Sequence, residues 1–154
     1  MNGVSKITIT DDVALITINK APASVRLLAS ILGEFSEAGV NIDMISHAAP
    51  QGQYTSLSFS ILSDDLVKAL NLTARFADSH PTIKPLVSNG NCKIQLYGEE
   101  MVSLPGVAAA AMKAIAGADV DISIITTSSI DISILVANAD KSSTVAALQK
   151  QFGL

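Results

Sequence analysis

The chain has little with which to build a disulfide or a metal centre. It holds one cysteine, Cys92, which has no partner for an intramolecular bridge, and two histidines, His47 and His80, far apart in sequence. These offer no metal-ligand spacing, and Cys92 reads as a small buried apolar residue. No apolar run approaches the roughly 20 residues that cross a bilayer. The nearest, Val107 to Ile115, is short, alanine-rich and bounded by polar residues, so no membrane span is expected. A net charge of −4 with no Lys/Arg cluster argues against a nucleic-acid or anionic-membrane surface. Met1 to Ile7 carry a single lysine and run into a strand-like pattern instead of an apolar signal core, which reads as a cytoplasmic protein. Catalytic signatures are missing too. There is no glycine-rich phosphate loop, no metal cluster and no nucleophile with a base nearby in the pattern, so neither a cofactor nor an active site is expected. The acidic pairs Asp11-Asp12, Asp64-Asp65 and Glu99-Glu100 are placed in turns or loops, as solvated turn and cap residues.

What is present is a foldable and duplicated pattern. Almost half the residues are hydrophobic and 16% are charged, which suits a chain that buries a core. Residues 13–45 line up with residues 93–125. In the first copy Val13 to Ile18 reads as a strand, and Leu28, Ile31, Leu32 and Phe35 form one face of a helix that Gly39 ends. In the second, Ile94 to Tyr97 gives the strand, and Ala108, Ala111, Met112 and Ile115 form the matching stripe. Each helix leads to two strands, Ile42 to Ser46 with Ser56 to Leu62, and Ile122 to Thr126 with Ile130 to Val136. A second helix follows in each copy, one capped by Asp64 or Asp65 and running to about Ala77, the other over Thr144 to Phe152.

Thr82 to Val87 gives the first copy a fourth strand, hence β-α-β-β-α-β, the split βαβ pattern. The second copy lacks its own. Val4 to Thr10 is a surplus strand ahead of the Asp11-Asp12 turn, so it is expected to complete the second sheet. The expected fold is α+β, with two ferredoxin-like modules and the first inserted in the second. Their expected extents are 11–88 for the first, and 1–10 plus 89–154 for the second.

Two segments could hold a small ligand. Met101 to Ala108 joins the second copy's first strand to its helix, and a helix N-terminus presents unpaired N–H groups to a carboxylate. Pro105 tolerates lacking an N–H there, and Gly106 lets a ligand approach the backbone. The same spacing fits an ordinary Pro-Gly turn. Ile124 to Ile130 ends in consecutive hydroxyls, which could bind an amino or carboxyl group or simply close a turn.

These residues resemble the regulatory half of aspartokinases, the first enzymes of lysine, threonine and methionine synthesis. The likeness rests on Ala38 to Ile45 in the first copy, and on Gly98 to Ala108 with Val120 to Ile130 in the second. It implies two ACT modules of interleaved strands and a homodimer whose effector pockets lie between modules of different chains, taking a feedback inhibitor such as lysine or threonine. By position, Met101, Ser103, Gly106 and Ala108 would face the α-carboxylate and α-amino groups, and Thr127, Ser128 and Ser129 would close the pocket. Asn41, Ile42 and Asp43 would come from across the interface, Asp43 being available to an ammonium group.

Departures from the family pattern bear on the ligand. Val25-Arg26 replaces the first loop's Pro-Gly and Ala23 its acidic residue, so that pocket is altered, with Arg26 a candidate to fill it. Leu104 replaces a histidine, Ser129 a glutamate and Asp121 an asparagine. The kinase domain has no counterpart, so phosphoryl transfer does not carry over. The expected function is amino-acid sensing, either alone or docked on a catalytic aspartokinase subunit. The alternatives are a fragment of a full aspartokinase, and a ligand-free dimerisation domain.

Overall fold

Seventeen residues from Lys6 to Pro22 form one strand, β1, where the expectation was two strands parted by a turn at Asp11-Asp12. Asp12 does take a left-handed φ of 57°, which aspartate tolerates better than most residues, but the strand continues through it. β4 (Lys84–Tyr97) likewise runs on through Gly90, at φ 74°. The computed structural model describes residues 2–154. They divide into two compact units, residues 12–90 and residues 2–11 with 91–154, and β1 and β4 each contribute to both.

The first unit, residues 12–90, adds α1 (Val25–Glu37), β2 (Ile45–His47), β3 (Tyr54–Leu62) and α2 (Leu66–Ser79). Its strand order is β2-β3-β1-β4, the antiparallel ferredoxin-like arrangement. β1 and β3 pair from Val13↔Leu62 to Ile18↔Leu57, slip at Asn19-Lys20, and resume at Ala21↔Thr55. Ala14, Ile16 and Ile18 point to the core, where Phe35 and Phe59 meet edge to face with ring centroids 5.0 Å apart. Ser24 caps α1 by accepting from the Leu27 N–H, and Gly39, at φ 78°, ends it while the Val40 N–H bonds the Phe35 carbonyl at 3.0 Å. The buried line of α1 is Leu27, Ile31 and Phe35, with Leu28 and Leu32 only partly buried. Neither Asp64 nor Asp65 caps α2 through its side chain, because a 3-10 turn over Ser63–Asp65 precedes the helix.

The second unit takes the start of β1 and the end of β4, then α3 (Val107–Gly117), β5 (Ile124–Thr127), β6 (Asp131–Ala137) and α4 (Lys141–Phe152). Its order is β1-β4-β6-β5, so the N-terminal strand completes this sheet, and the Ser5 N–H bonds the Tyr97 carbonyl at 2.8 Å. β4 and β6 pair from Asn91↔Ala137 to Tyr97↔Asp131. The core gathers Val4, Ile94, Leu96, Ala111, Ile115, Ile134, Leu148 and Phe152. The stripe of α3 is Val107, Ala111 and Ile115, while Ala108 is exposed. β2 and β5 begin two or more residues later than the apolar pattern suggested, since Ile42 and Ile122 pack on their cores before strand pairing starts. α4 starts at Lys141, where the Thr144 hydroxyl donates back to the Asp140 carbonyl at 2.7 Å. No described helix is long and apolar enough to cross a membrane.

Candidate functional site

Between β4 and α3 the chain makes a 3-10 turn over Glu99–Val102 and then reaches Gly106, the N-cap residue of α3, at φ 90°. Glycine suits this left-handed position because it has no Cβ to collide with the backbone. It also has no side chain to bond the helix, so the first N–H groups of α3, on Val107, Ala108 and Ala109, have no side-chain cap. α1 differs, since the Ser24 hydroxyl fills the corresponding place. Pro105 lies two residues before the first helical one, ahead of the N-cap.

These donors lie beside the β5–β6 turn, and the two segments line one cleft of about 310 Å³. Six expected ligand residues come together there: Met101, Gly106, Ala108, Thr127, Ser128 and Ser129. Val102, Leu104, Val107 and Ile132 complete the lining. Val102, Leu104 and Val107 lie in the segment Met101 to Ala108 that the sequence marked, while Ile132 of β6 lay outside both marked segments. Ser103 is outside the lining, with its N–H and hydroxyl both directed to the Glu100 carbonyl. Asn41, Ile42 and Asp43 belong to the first unit, in the link from α1 to β2. There Asn41 and Asp43 are exposed, Ile42 packs on the core, and the Asp43 N–H bonds the Ser60 carbonyl at 3.1 Å. Arg26 is exposed at the start of α1.

The three hydroxyls of the turn are not equivalent. Ser128 Oγ donates to Asp131 Oδ1 at 2.5 Å and accepts from the Ile130 and Asp131 N–H groups at 3.2 Å. Gln95 Nε2 donates to Asp131 Oδ2 at 2.6 Å. The Ser128 hydroxyl, followed by Gln95, holds the Asp131 carboxyl below the usual carboxylate range, opposed by partial burial. Ser128 is therefore committed to shaping the turn. Thr127 and Ser129 make no side-chain hydrogen bond within the described residues, which leaves their hydroxyls for a ligand. No lysine, arginine or carboxylate lines the cleft, so a zwitterion would be met by backbone dipoles and hydroxyls. Of the acidic pairs, Asp64-Asp65 and Glu99-Glu100 lie in 3-10 turns, as turn residues were expected to, whereas Asp11-Asp12 lies within β1. Among the described residues no group of three or more His, Cys, Asp or Glu could hold a metal.

The ACT domain family model matches residues 94–152, which span this cleft. The aspartokinase of Geobacillus stearothermophilus is 29% identical over 153 residues, 98% of this chain but 36% of its own length. The chain spans little more than a third of the length of these curated aspartokinases. The solved regulatory subunit of aspartate kinase from Thermus thermophilus superposes with a TM-score of 0.88 at 21% identity, covering 97% of this chain and 99% of that one. A crystal structure of aspartokinase alpha and beta subunits gives 0.88 at 27% identity, covering 98% and 99%.

Proposed function

We propose that the protein is a regulatory sensor of a small amino acid, since residues 94–152 match the ACT domain family model in a chain that resembles the aspartokinase regulatory region along its length. The observation that carries this reading is the uncapped start of α3 at Gly106, lining one cleft with the Thr127 and Ser129 hydroxyls. A carboxylate fits the α3 N-terminus, because the uncapped N–H groups and the helix dipole both favour an anion there. The α-ammonium group then meets the two hydroxyls. In a homodimer, Asn41, Ile42 and Asp43 of a second copy close the cleft, and Asp43 favours a ligand with a second cation, which puts lysine ahead of threonine. The sensing modules are the interleaved 11–88 and 1–10 plus 89–154. The chain acts on a catalytic aspartokinase subunit, as the solved alpha and beta subunits suggest, and itself transfers no phosphate.

Thermal unfolding with a panel of amino acids tests this. A ligand at about 100 times its dissociation constant stabilises by about 2.7 kcal/mol. A flat panel at millimolar concentration, confirmed by calorimetry, would remove the sensing function. Gly106→Asp places a carboxylate where one must bind, and the space around a Cβ at Gly106 is open. It should abolish the shift, whereas Gly106→Ala, with the same backbone strain and no charge, should retain most of it. Co-purification of a kinase chain from the source cell checks the docking. A ligand-free dimerisation module is the second reading, favoured by the commitment of Ser128 to its own turn. It predicts a flat panel together with concentration-dependent dimerisation.

A further inference from the structure

A cavity of about 560 Å³ lies wholly within the first unit and shares no residue with the cleft at Gly106. Its wall is built by two backbone devices. At Asn19-Lys20 the β1–β3 register slips, and Lys20 is held at a left-handed φ of 51°. Such a bulge re-aims the side chains it carries, and the strain of a left-handed lysine persists only where its surroundings impose it. Here the Thr82 hydroxyl donates to the Lys20 carbonyl at 2.9 Å. The opposite wall is the β2–β3 hairpin. Gln51 and Tyr54 exchange backbone hydrogen bonds of 2.8 and 3.2 Å across it, and Thr55 Oγ1 bonds the Ala48 carbonyl at 2.7 Å.

The chemistry of the lining is one-sided. Lys20 and Lys84 both face the cavity, no carboxylate lines it, and neither lysine has an ion pair among the described residues. That is unusual in a chain of net charge −4, where acidic side chains outnumber the basic ones. Ser56 Oγ donates to Asn19 Oδ1 at 2.9 Å, which orients the amide and leaves its NH2 group as a further donor. Ala48, Ala49 and the partly exposed Tyr54 give the lining its apolar surface, and Gln51 and Thr55 complete it. The cavity uses the first-copy hairpin that corresponds to the β5–β6 turn, Ala48-Ala49 standing where Ser128-Ser129 line the other cleft. No residue of the loop leading into α1 lines it, however, and Ser24 already caps that helix.

We propose that this cavity is a second ligand site, which binds a small organic anion having a flat ring, its phosphate or carboxylate held by Lys20, Lys84 and the Asn19 amide and its ring laid against Tyr54. The site is independent of amino-acid sensing at Gly106. Amide-resolved NMR titration tests it with AMP as the phosphate probe and 4-hydroxybenzoate as the carboxylate probe. Adenosine and 4-hydroxybenzyl alcohol are the uncharged controls. The expected result is saturable movement of amides in 19–21, 48–56 and 84 with at least one anion, at least about tenfold weaker for its uncharged counterpart. The anion that binds more tightly identifies the head group. Lys20→Met and Lys84→Met should each weaken binding about three- to tenfold, while Lys20→Arg should retain it. No movement with either anion up to about 10 mM, equal binding of charged and uncharged probes, or movement confined to 101–108 and 127–129 would overturn the assignment. The wild-type titration decides this even if a lysine variant fails to fold.

Discussion

Gly98 is in extended backbone, at φ −170°, which any residue can adopt, so a methyl group there is opposed by collision alone. A Cβ built at Gly98 would lie 1.7 Å from the Gly3 carbonyl oxygen, 2.7 Å from its carbon and 3.1 Å from Val4 Cα. Bringing the first of these out to 3.0 Å requires residues 3–4 to retreat by about 1.3 Å, the difference between the two distances. The retreat strains the Ser5 N–H to Tyr97 carbonyl bond and exposes Val4, which is 3% accessible. Losing a buried valine costs about 1.5–2 kcal/mol and a hydrogen bond about 1, so Gly98→Ala should destabilise by about 2–4 kcal/mol. Urea unfolding followed by circular dichroism measures it, with Gly33→Ala as the control. Gly33 is exposed within α1 and a Cβ there meets nothing within 4 Å, so alanine should stabilise by up to about 1 kcal/mol. A Gly98→Ala midpoint within about 0.5 kcal/mol of the parent would mean that residues 2–5 do not pack on Gly98 in solution.

Phe35→Ala removes a fully buried ring that meets Phe59 edge to face, and should cost about 3–5 kcal/mol in the same assay. A double-mutant cycle with Phe59→Leu should return a coupling of about 0.5–1.5 kcal/mol, and strict additivity would refute the ring contact. The Asp131 carboxyl is held low in the fold, so its stabilisation is present above the usual aspartate range and is lost as pH falls through the folded value. Asp131→Asn should therefore be less stable than the parent at pH 7, with the gap closing below about pH 4, and a gap independent of pH would refute the assignment. Burial, followed by the Asp11 charge, raises the Cys92 thiol, with Lys141 opposing. A colorimetric thiol assay should find it unreactive until the chain is unfolded, and rapid labelling of native protein would contradict that.

The duplication was legible because hydrophobic period survives divergence. Ile31 and Phe35 in one copy and Ala111 and Ile115 in the other share helix positions and are buried in their respective cores. The continuity of β1 and β4 was not legible. Asp12 and Gly90 belong to residue types that make turns, and sequence reveals that such a residue tolerates a positive φ, not whether pairing continues on either side. Only the first residue of the α3 stripe was misplaced, because Val107 and Ala108 both suit the start of an apolar stripe, and only packing chose valine. At the candidate site the Pro-Gly loop and the hydroxyl run were visible as local patterns. The commitment of Ser128 was hidden, because it depends on Asp131 and on Gln95 of another strand. The cavity at Lys20 left no pattern either, being made by a register slip.

The sharing of β1 between the units sets an order of assembly during synthesis. Every strand of the first unit is available once residue 90 has been made, so it can fold while the ribosome is still working. The N-terminal residues cannot. Ser5 must wait for Tyr97, 92 positions away, and Asp11 for Lys141, 130 positions away. At about 5–20 residues per second, the stretch from Asn91 through α4 takes a few seconds to about ten, during which Val4 has no core to enter. The half of the molecule holding the Gly106 cleft is thus the last to form, and the half that passing chaperones would meet unfinished.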